Sequence, residues 1–181
     1  MSKLILDSDG LIKLQKAGLL KTLAERHDCL IAEAVYRETV TKGKKELYED
    51  AFEIEEIVEE SIELKKAKKS DKAKQILSSG DPTSLGKGEK QALRLYLQEK
   101  GDAIISDDRT FLNLLDRNNL KSEYEEVPFI TPANAIVAMA NKGIILNEEA
   151  KRGLEQIKYL IRRNSYQMAL EKLERGGEQY D

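Results

Sequence analysis

The feature that most limits what this chain can fold into is an alternation. Short apolar runs are separated by segments whose apolar residues recur at helical spacing. Leu4 to Leu6, Cys29 to Ile31 and Ala103 to Ser106 are too short for helices and read as buried strands. Ser8 is the expected N-cap of a helix carrying Leu11, Ile12 and Leu14, then Leu19, Leu20 and Leu23, with Gly18 as a break. Glu33 to Val40 reads as a helix. Leu47, Ala51, Ile54 and Val58 line one face of another, whose opposite face is acidic and solvated. Further helices are expected over Gly88 to Glu99, over Arg109 to Leu115, and from an N-cap at Thr131 with Pro132 at the first position through Ala140, closed by Gly143. Strands alternating with helices imply a parallel sheet covered on both faces, so the expected class is α/β.

Two weaker strands are expected at Ser61 to Leu64 and Glu126 to Ile130. Lys42 to Lys45 reads as a loop. Lys65 to Ser84 reads as a mobile, basic insert punctuated by Gly80-Asp81-Pro82. From Asn147 to Arg175 the pattern is purely helical. The expected organisation is therefore one α/β domain over residues 1–146 and a helical extension over 147–181, with the last four residues frayed.

Composition narrows the chemistry. The net charge of −3 argues against broad, non-specific binding to nucleic acid. It is compatible with an acidic pocket neutralised by cations, with Lys42 to Lys45 and Lys65 to Lys72 as local patches for phosphates. The single cysteine, Cys29, allows no intrachain disulfide and sits in an apolar run, which fits a reducing cytosol. No apolar stretch approaches a membrane span, and Asp7 and Asp9 interrupt any leader-like region, so a cytoplasmic protein without membrane contact is expected. One histidine, His27, in an expected surface turn, makes histidine catalysis or a zinc site a poor fit. Any chemistry has to rest on carboxylates.

Those carboxylates fall at telling places. Asp7 ends the first apolar run and Asp107-Asp108 follow Ala103-Ile104-Ile105. Glu38 lies early in a helix, and Glu89 opens one within Leu-Gly-Lys-Gly-Glu. In a parallel α/β sheet the strand ends and the following helix starts share one edge, where ligands bind. Carboxylates gathered there repel one another unless a cation is present, and a divalent ion held by oxygen ligands is the natural reading. Such a cation can activate water and screen charge on phosphate oxygens. Taken singly, each residue also has a plainer explanation. Asp7, Ser8 or Asp9 could cap a helix, Asp107-Asp108 could cap the next, and Glu38 and Glu89 could face solvent near a positive helix end. Gly86 and Gly88 lack the spacing of a phosphate-binding P-loop.

Four segments together resemble the PIN-domain nucleases, in particular their toxin-like and uncharacterised prokaryotic branch. They are Leu-Ile-Leu-Asp-Ser-Asp-Gly-Leu-Ile (4–12), Ala-Val-Tyr-Arg-Glu-Thr (34–39), Leu-Gly-Lys-Gly-Glu-Lys-Gln-Ala-Leu (85–93) and Ile-Ile-Ser-Asp-Asp-Arg-Thr-Phe (104–111). Order and spacing agree over roughly the first three-quarters of the chain. The resemblance implies a three-layer PIN-like fold and an endoribonuclease dependent on Mg2+ or Mn2+. It maps the catalytic carboxylates to Asp7, Glu38, Glu89 and Asp108, with Asp107 as an alternative or supporting metal ligand. It leaves Asp9 as either an extra ligand or a cap. Ser8, Lys87 and Arg109 are the substrate-side candidates, with Lys90 beside them. It also implies a homodimer, an RNA substrate and, in the toxin-like form, an antitoxin protein as partner. The long middle helix and the helical tail depart from the compact toxin pattern. A different class of reading is a catalytically idle PIN-like module that binds RNA or protein. A phosphatase or DNA nuclease on a related fold is the third.

Overall fold

The structure, a computed structural model, describes residues 1–79, 85–117 and 129–177. Five strands form one sheet in the order β3-β2-β1-β4-β5: β1 (Lys3–Leu6), β2 (Asp28–Ala32), β3 (Glu63–Lys65), β4 (Ala103–Ile105) and β5 (Phe129–Ile130). All four pairings are parallel. Leu6 lies level with Ile31 on one side and Ile105 on the other. Ile5, Leu6, Leu30, Ile31, Ile104 and Ile105 are fully buried, because helices cover the sheet and the inner strands carry apolar side chains on both faces.

The strand order decides where a site can form. From β1 the chain builds outward through β2 and β3, then returns to the other side of β1 as β4. The crevice beyond the ends of β1 and β4 is therefore the switch point of the sheet. Asp7 leaves β1 there, and Ser106, Asp107 and Asp108 leave β4.

The helices are α1 (Ser8–Lys16), α2 (Leu20–Arg26), α3 (Glu33–Tyr36), α4 (Lys42–Lys45), α5 (Glu49–Ser61), α6 (Asp71–Ser78), α7 (Lys87–Glu99), α8 (Arg109–Arg117), α9 (Pro132–Asn141), α10 (Asn147–Ile157) and α11 (Arg163–Gly177). Gly18, at φ +70°, separates α1 from α2 as expected. Helix α7 packs across β2, β1 and β4, and α1 packs on α5 and on α10. The last two helices pack on α9, and Ala150, Leu154, Ile157, Ala169 and Leu173 join the same apolar core as the sheet. Among the described residues no helix is long and apolar enough to cross a membrane.

Local readings failed where tertiary contacts overrode them. Lys42–Lys45 is a helical turn, not a loop, continuing a π-helical turn over Arg37–Thr41. A Cβ on Gly43 would meet the Ala51 side chain at 2.7 Å, so the glycine lets that turn press against α5. The basic insert contains α6, capped by the Ser70 hydroxyl and buried through Ala73, Ile76 and Leu77. Its lysines mask that short apolar stripe in the sequence. Helix α1 is capped by Asp7 rather than Ser8, and β3 begins two residues later than expected. His27 lies in the bend between α2 and β2, as expected, and is half-buried there. The Gly80-Asp81-Pro82 turn, the first part of the Glu126 to Ile130 strand and the frayed end over 178–181 lie outside the described residues.

Close approach at the switch point depends on Gly10. A Cβ there would lie 2.4 Å from the Ile105 carbonyl oxygen and 3.1 Å from Asp7 Oδ1. Because the obstacle is strand backbone, Gly10→Ala is expected to destabilise the protein by about 3 kcal/mol, at the upper end of overpacking costs. Urea unfolding checks this; a midpoint equal to that of the unmodified protein would show that α1 can slide away from β4.

Candidate active site

Asp7 sits where β1 becomes α1. Its backbone is extended, so its side chain can turn back, and Oδ1 accepts from the Gly10 amide at 2.6 Å. The residue is 1% exposed, and its other oxygen, Oδ2, is buried with no hydrogen-bond partner. Burial pushes its carboxyl up to about 7; the nearby charges of Asp9 and Glu89 push the same way, and the Ser106 hydroxyl and Gly10 amide oppose it. Ser106, itself fully buried, lies close enough to favour the ion, yet Oδ2 meets no hydrogen-bond geometry with it or any other group.

Glu89 lies in the first turn of α7, whose N-cap, Gly86, offers no side chain. Its carboxyl folds back over Gly86, with Oε2 2.5 Å from where a Cβ would stand. Oε2 is also buried without a side-chain partner. Burial raises the Glu89 carboxyl first, and the charges of Asp108 and Glu38 add to this, with partial relief from its own and the Gly86 amide.

Glu38 lies on the π-helical turn, exposed, and accepts from the Ser8 hydroxyl at 2.7 Å. Such turns insert one residue into a helix and recur at functional sites. A Cβ on Gly88 would lie 2.5 Å from Glu38 Oε2 and 3.1 Å from Ser8 Oγ, so a side chain there would push the Glu38 carboxylate from its present place. Asp108 Oδ1 accepts from the Phe111 amide at 2.7 Å, and the Asp108 amide donates to Ser106 Oγ at 3.2 Å.

Glu89 feels the charges of Glu38 and Asp108, and its own charge acts on Asp7, so the four carboxylates share one electrostatic neighbourhood. Asp107 goes elsewhere. Its side chain is 4% exposed and its Oδ2 accepts from the Lys13 ammonium at 3.0 Å, while Asp9 Oδ2 takes another N–H of Lys13 at 2.6 Å. Among the described residues no trio of carboxylate, histidine or cysteine side chains is arranged to hold a metal ion as it stands. Glu38 has one oxygen engaged by the Ser8 hydroxyl, Asp108 one by the Phe111 amide, and Asp107 one by Lys13.

Of the substrate-side candidates, Ser8 is half-buried on Glu38. Lys87 and Arg109 are exposed as the first residues of α7 and α8, and Lys90 is half-buried. The two lysine patches are partly engaged: Lys42 pairs with Glu46, Lys44 with Glu55, and Lys65 with Glu63 and Glu99. Sequence reasoning missed Lys13 and Ser106. The signal for Lys13 was its position four residues after Asp9, which puts both on one face of α1.

The orphaned oxygens suit a hard cation. An all-oxygen donor set matches Mg2+ or Mn2+, and Asp7 Oδ2 and Glu89 Oε2 are buried acceptors without a hydrogen-bond partner; Asp107 Oδ1 is a third, though it faces the Arg162 guanidinium at 3.8 Å. Among families of known proteins, residues 3–175 match the model of DUF3368, described as a PIN domain. No curated protein and no solved structure matches the chain.

Proposed function

The chain belongs to the PIN-domain family, a family of nuclease-type fold, and we propose that it is an endoribonuclease dependent on Mg2+ or Mn2+. The observation that carries this reading is Asp7. Its carboxyl is buried at the sheet's switch point, keeps one oxygen unpartnered, and has other carboxylates beside it. A fold leaves such a group uncompensated at a cost, because buried polar groups are otherwise hydrogen-bonded.

Asp7, Glu38, Glu89 and Asp108 would hold the cation, with Asp107 behind Asp108. Bound there, the ion would lower the pKa of water and polarise a phosphate oxygen. The protein's own part is orientation. The Gly10 amide fixes Asp7 Oδ1, the Ser8 hydroxyl steers Glu38, and the Phe111 amide steers Asp108, each leaving a second oxygen for other use. Lys87 and Arg109, exposed at the starts of α7 and α8, would supply positive charge for substrate phosphates. The narrower form of this reading is the toxin of a toxin–antitoxin pair, acting on cytoplasmic RNA as a homodimer.

The test is cleavage of a panel of single-stranded RNA, single-stranded DNA and small phosphate esters, with Mn2+ and with chelator. RNA cut only in Mn2+ is the expected result. Cleavage of DNA alone or of esters alone moves the protein to the corresponding hydrolase class. RNA bound but never cut identifies the idle binding module instead.

A further inference from the structure

Six acidic residues gather along this edge, Asp7, Asp9, Glu38, Glu89, Asp107 and Asp108, and a buried lysine stands among them. The Lys13 side chain is 10% exposed. A lysine is rarely held so deep without partners, and here its ammonium donates to Asp9 Oδ2 at 2.6 Å and to Asp107 Oδ2 at 3.0 Å. Arg162, between α10 and α11, brings a second cation to within 3.8 Å of Asp107 Oδ1. Among the described residues Asp7, Glu38, Glu89 and Asp108 form no ion pair, and Asp7 Oδ2 and Glu89 Oε2 are buried without a hydrogen-bond partner; Asp107 Oδ1 also lacks one, but it faces a cation, Arg162.

We propose that Lys13 is a positioning residue that divides the acidic edge into two sets. Its ammonium claims Asp9 and Asp107, and Asp7, Glu38, Glu89 and Asp108 are left for a single divalent ion. The division rests on the metal-dependent reading above and deepens it. It assigns Asp108 rather than Asp107 to the ion, a choice that adjacency in Ser-Asp-Asp leaves open. A lysine ammonium is a compact point charge that two carboxylates can share. The two oxygens shared in this way cannot turn to a metal without stranding a buried cation, which is strongly unfavourable, and a metal at the remaining Asp107 Oδ1 would stand against the charges of Lys13 and Arg162. Lys13 also ties α1 to the turn after β4, and that tie holds the backbone from which Asp108 projects.

Calorimetric Mn2+ titration of the full chain tests the division without reading activity. The unmodified protein is expected to bind a single Mn2+. Asp108→Asn should weaken that binding by about tenfold or more, whereas Asp107→Asn should change it by less than about threefold, since only the former removes a ligand. Lys13→Met releases two carboxylates and should admit a second Mn2+, and Lys13→Arg, which keeps the charge, should not. If Lys13→Met fails to fold, the two aspartate variants still decide. Equal weakening by Asp107→Asn and Asp108→Asn, or a Lys13→Met isotherm identical to that of the unmodified protein, overturns the division alone. Absence of Mn2+ binding by the unmodified protein overturns the nuclease reading and the division together.

Discussion

Asp7→Asn is expected to cut Mn2+-dependent cleavage by about a thousandfold and, at the same time, to make the metal-free protein more stable at pH 8. The loss follows if Asp7 is the charged ligand proposed above, whose interaction with the cation would be worth several kcal/mol in the transition state; about 4 kcal/mol is a thousandfold. The gain follows from what the carboxylate does without a metal. It is buried, has an unpartnered oxygen and lies beside other carboxylates, so its ionised form opposes folding. Asparagine keeps the helix cap, because its side-chain oxygen can accept from the Gly10 amide as Asp7 does. Its amide nitrogen would stand near the Ser106 hydroxyl, and an imperfect hydrogen bond there would offset part of the gain, leaving about 2 kcal/mol. The paired measurement is cleavage rate and urea midpoint. A variant that cuts RNA as fast as the unmodified protein would remove Asp7 from the site. A variant less stable at pH 8 would mean that its carboxylate supports the metal-free fold.

The second large effect is on how stability depends on pH. The Asp7 carboxyl stands at about 7 in the folded chain against 3.8 as its ordinary value. Between those values the native state keeps a proton that the unfolded state has released, so stability falls as pH rises through the window. The separation of roughly three units corresponds to about 4 kcal/mol lost between pH 4 and pH 7. Glu89, raised by burial and by Asp108 and Glu38, acts in the same direction. His27 acts against it: burial first, then Lys142 and the N-terminal ammonium, lowers its pKa, so its contribution rises with pH up to its ordinary value. The difference between the unmodified protein and Asp7→Asn isolates the Asp7 share. Metal-free protein should therefore melt at a higher temperature at pH 5 than at pH 8, added Mn2+ should close the gap at pH 8, and Asp7→Asn should lose most of the slope. Equal melting temperatures at pH 5 and pH 8 for the metal-free unmodified protein would end this account of Asp7.

The acidic pattern was legible because each part of it is local. A run such as Leu4-Ile5-Leu6 followed by Asp7 specifies a strand and the residue that leaves it, and Ile104-Ile105 before Asp107-Asp108 does the same. Glu89 needs only the start of α7 to be recognised. The π-helical turn under Glu38 was not legible, since the segment Arg37–Thr41 is too short to show a one-residue change in the apolar period. Helix α6 was hidden by the lysines around Ala73, Ile76 and Leu77.

By itself, then, the order of residues determined an α/β chain with acidic groups at the ends of particular strands and the starts of particular helices, because hydrophobic period and cap chemistry act over a few neighbours. Only the tertiary structure decided how those groups are shared out. Lys13 and Asp107 are 94 residues apart, and Ser8 meets Glu38 across 30. Which carboxylate gains a cation, which gains an amide, and which, like Asp7, keeps a bare buried oxygen depends on the return of β4 to the side of β1. That return is set by packing of the whole core rather than by any local pattern.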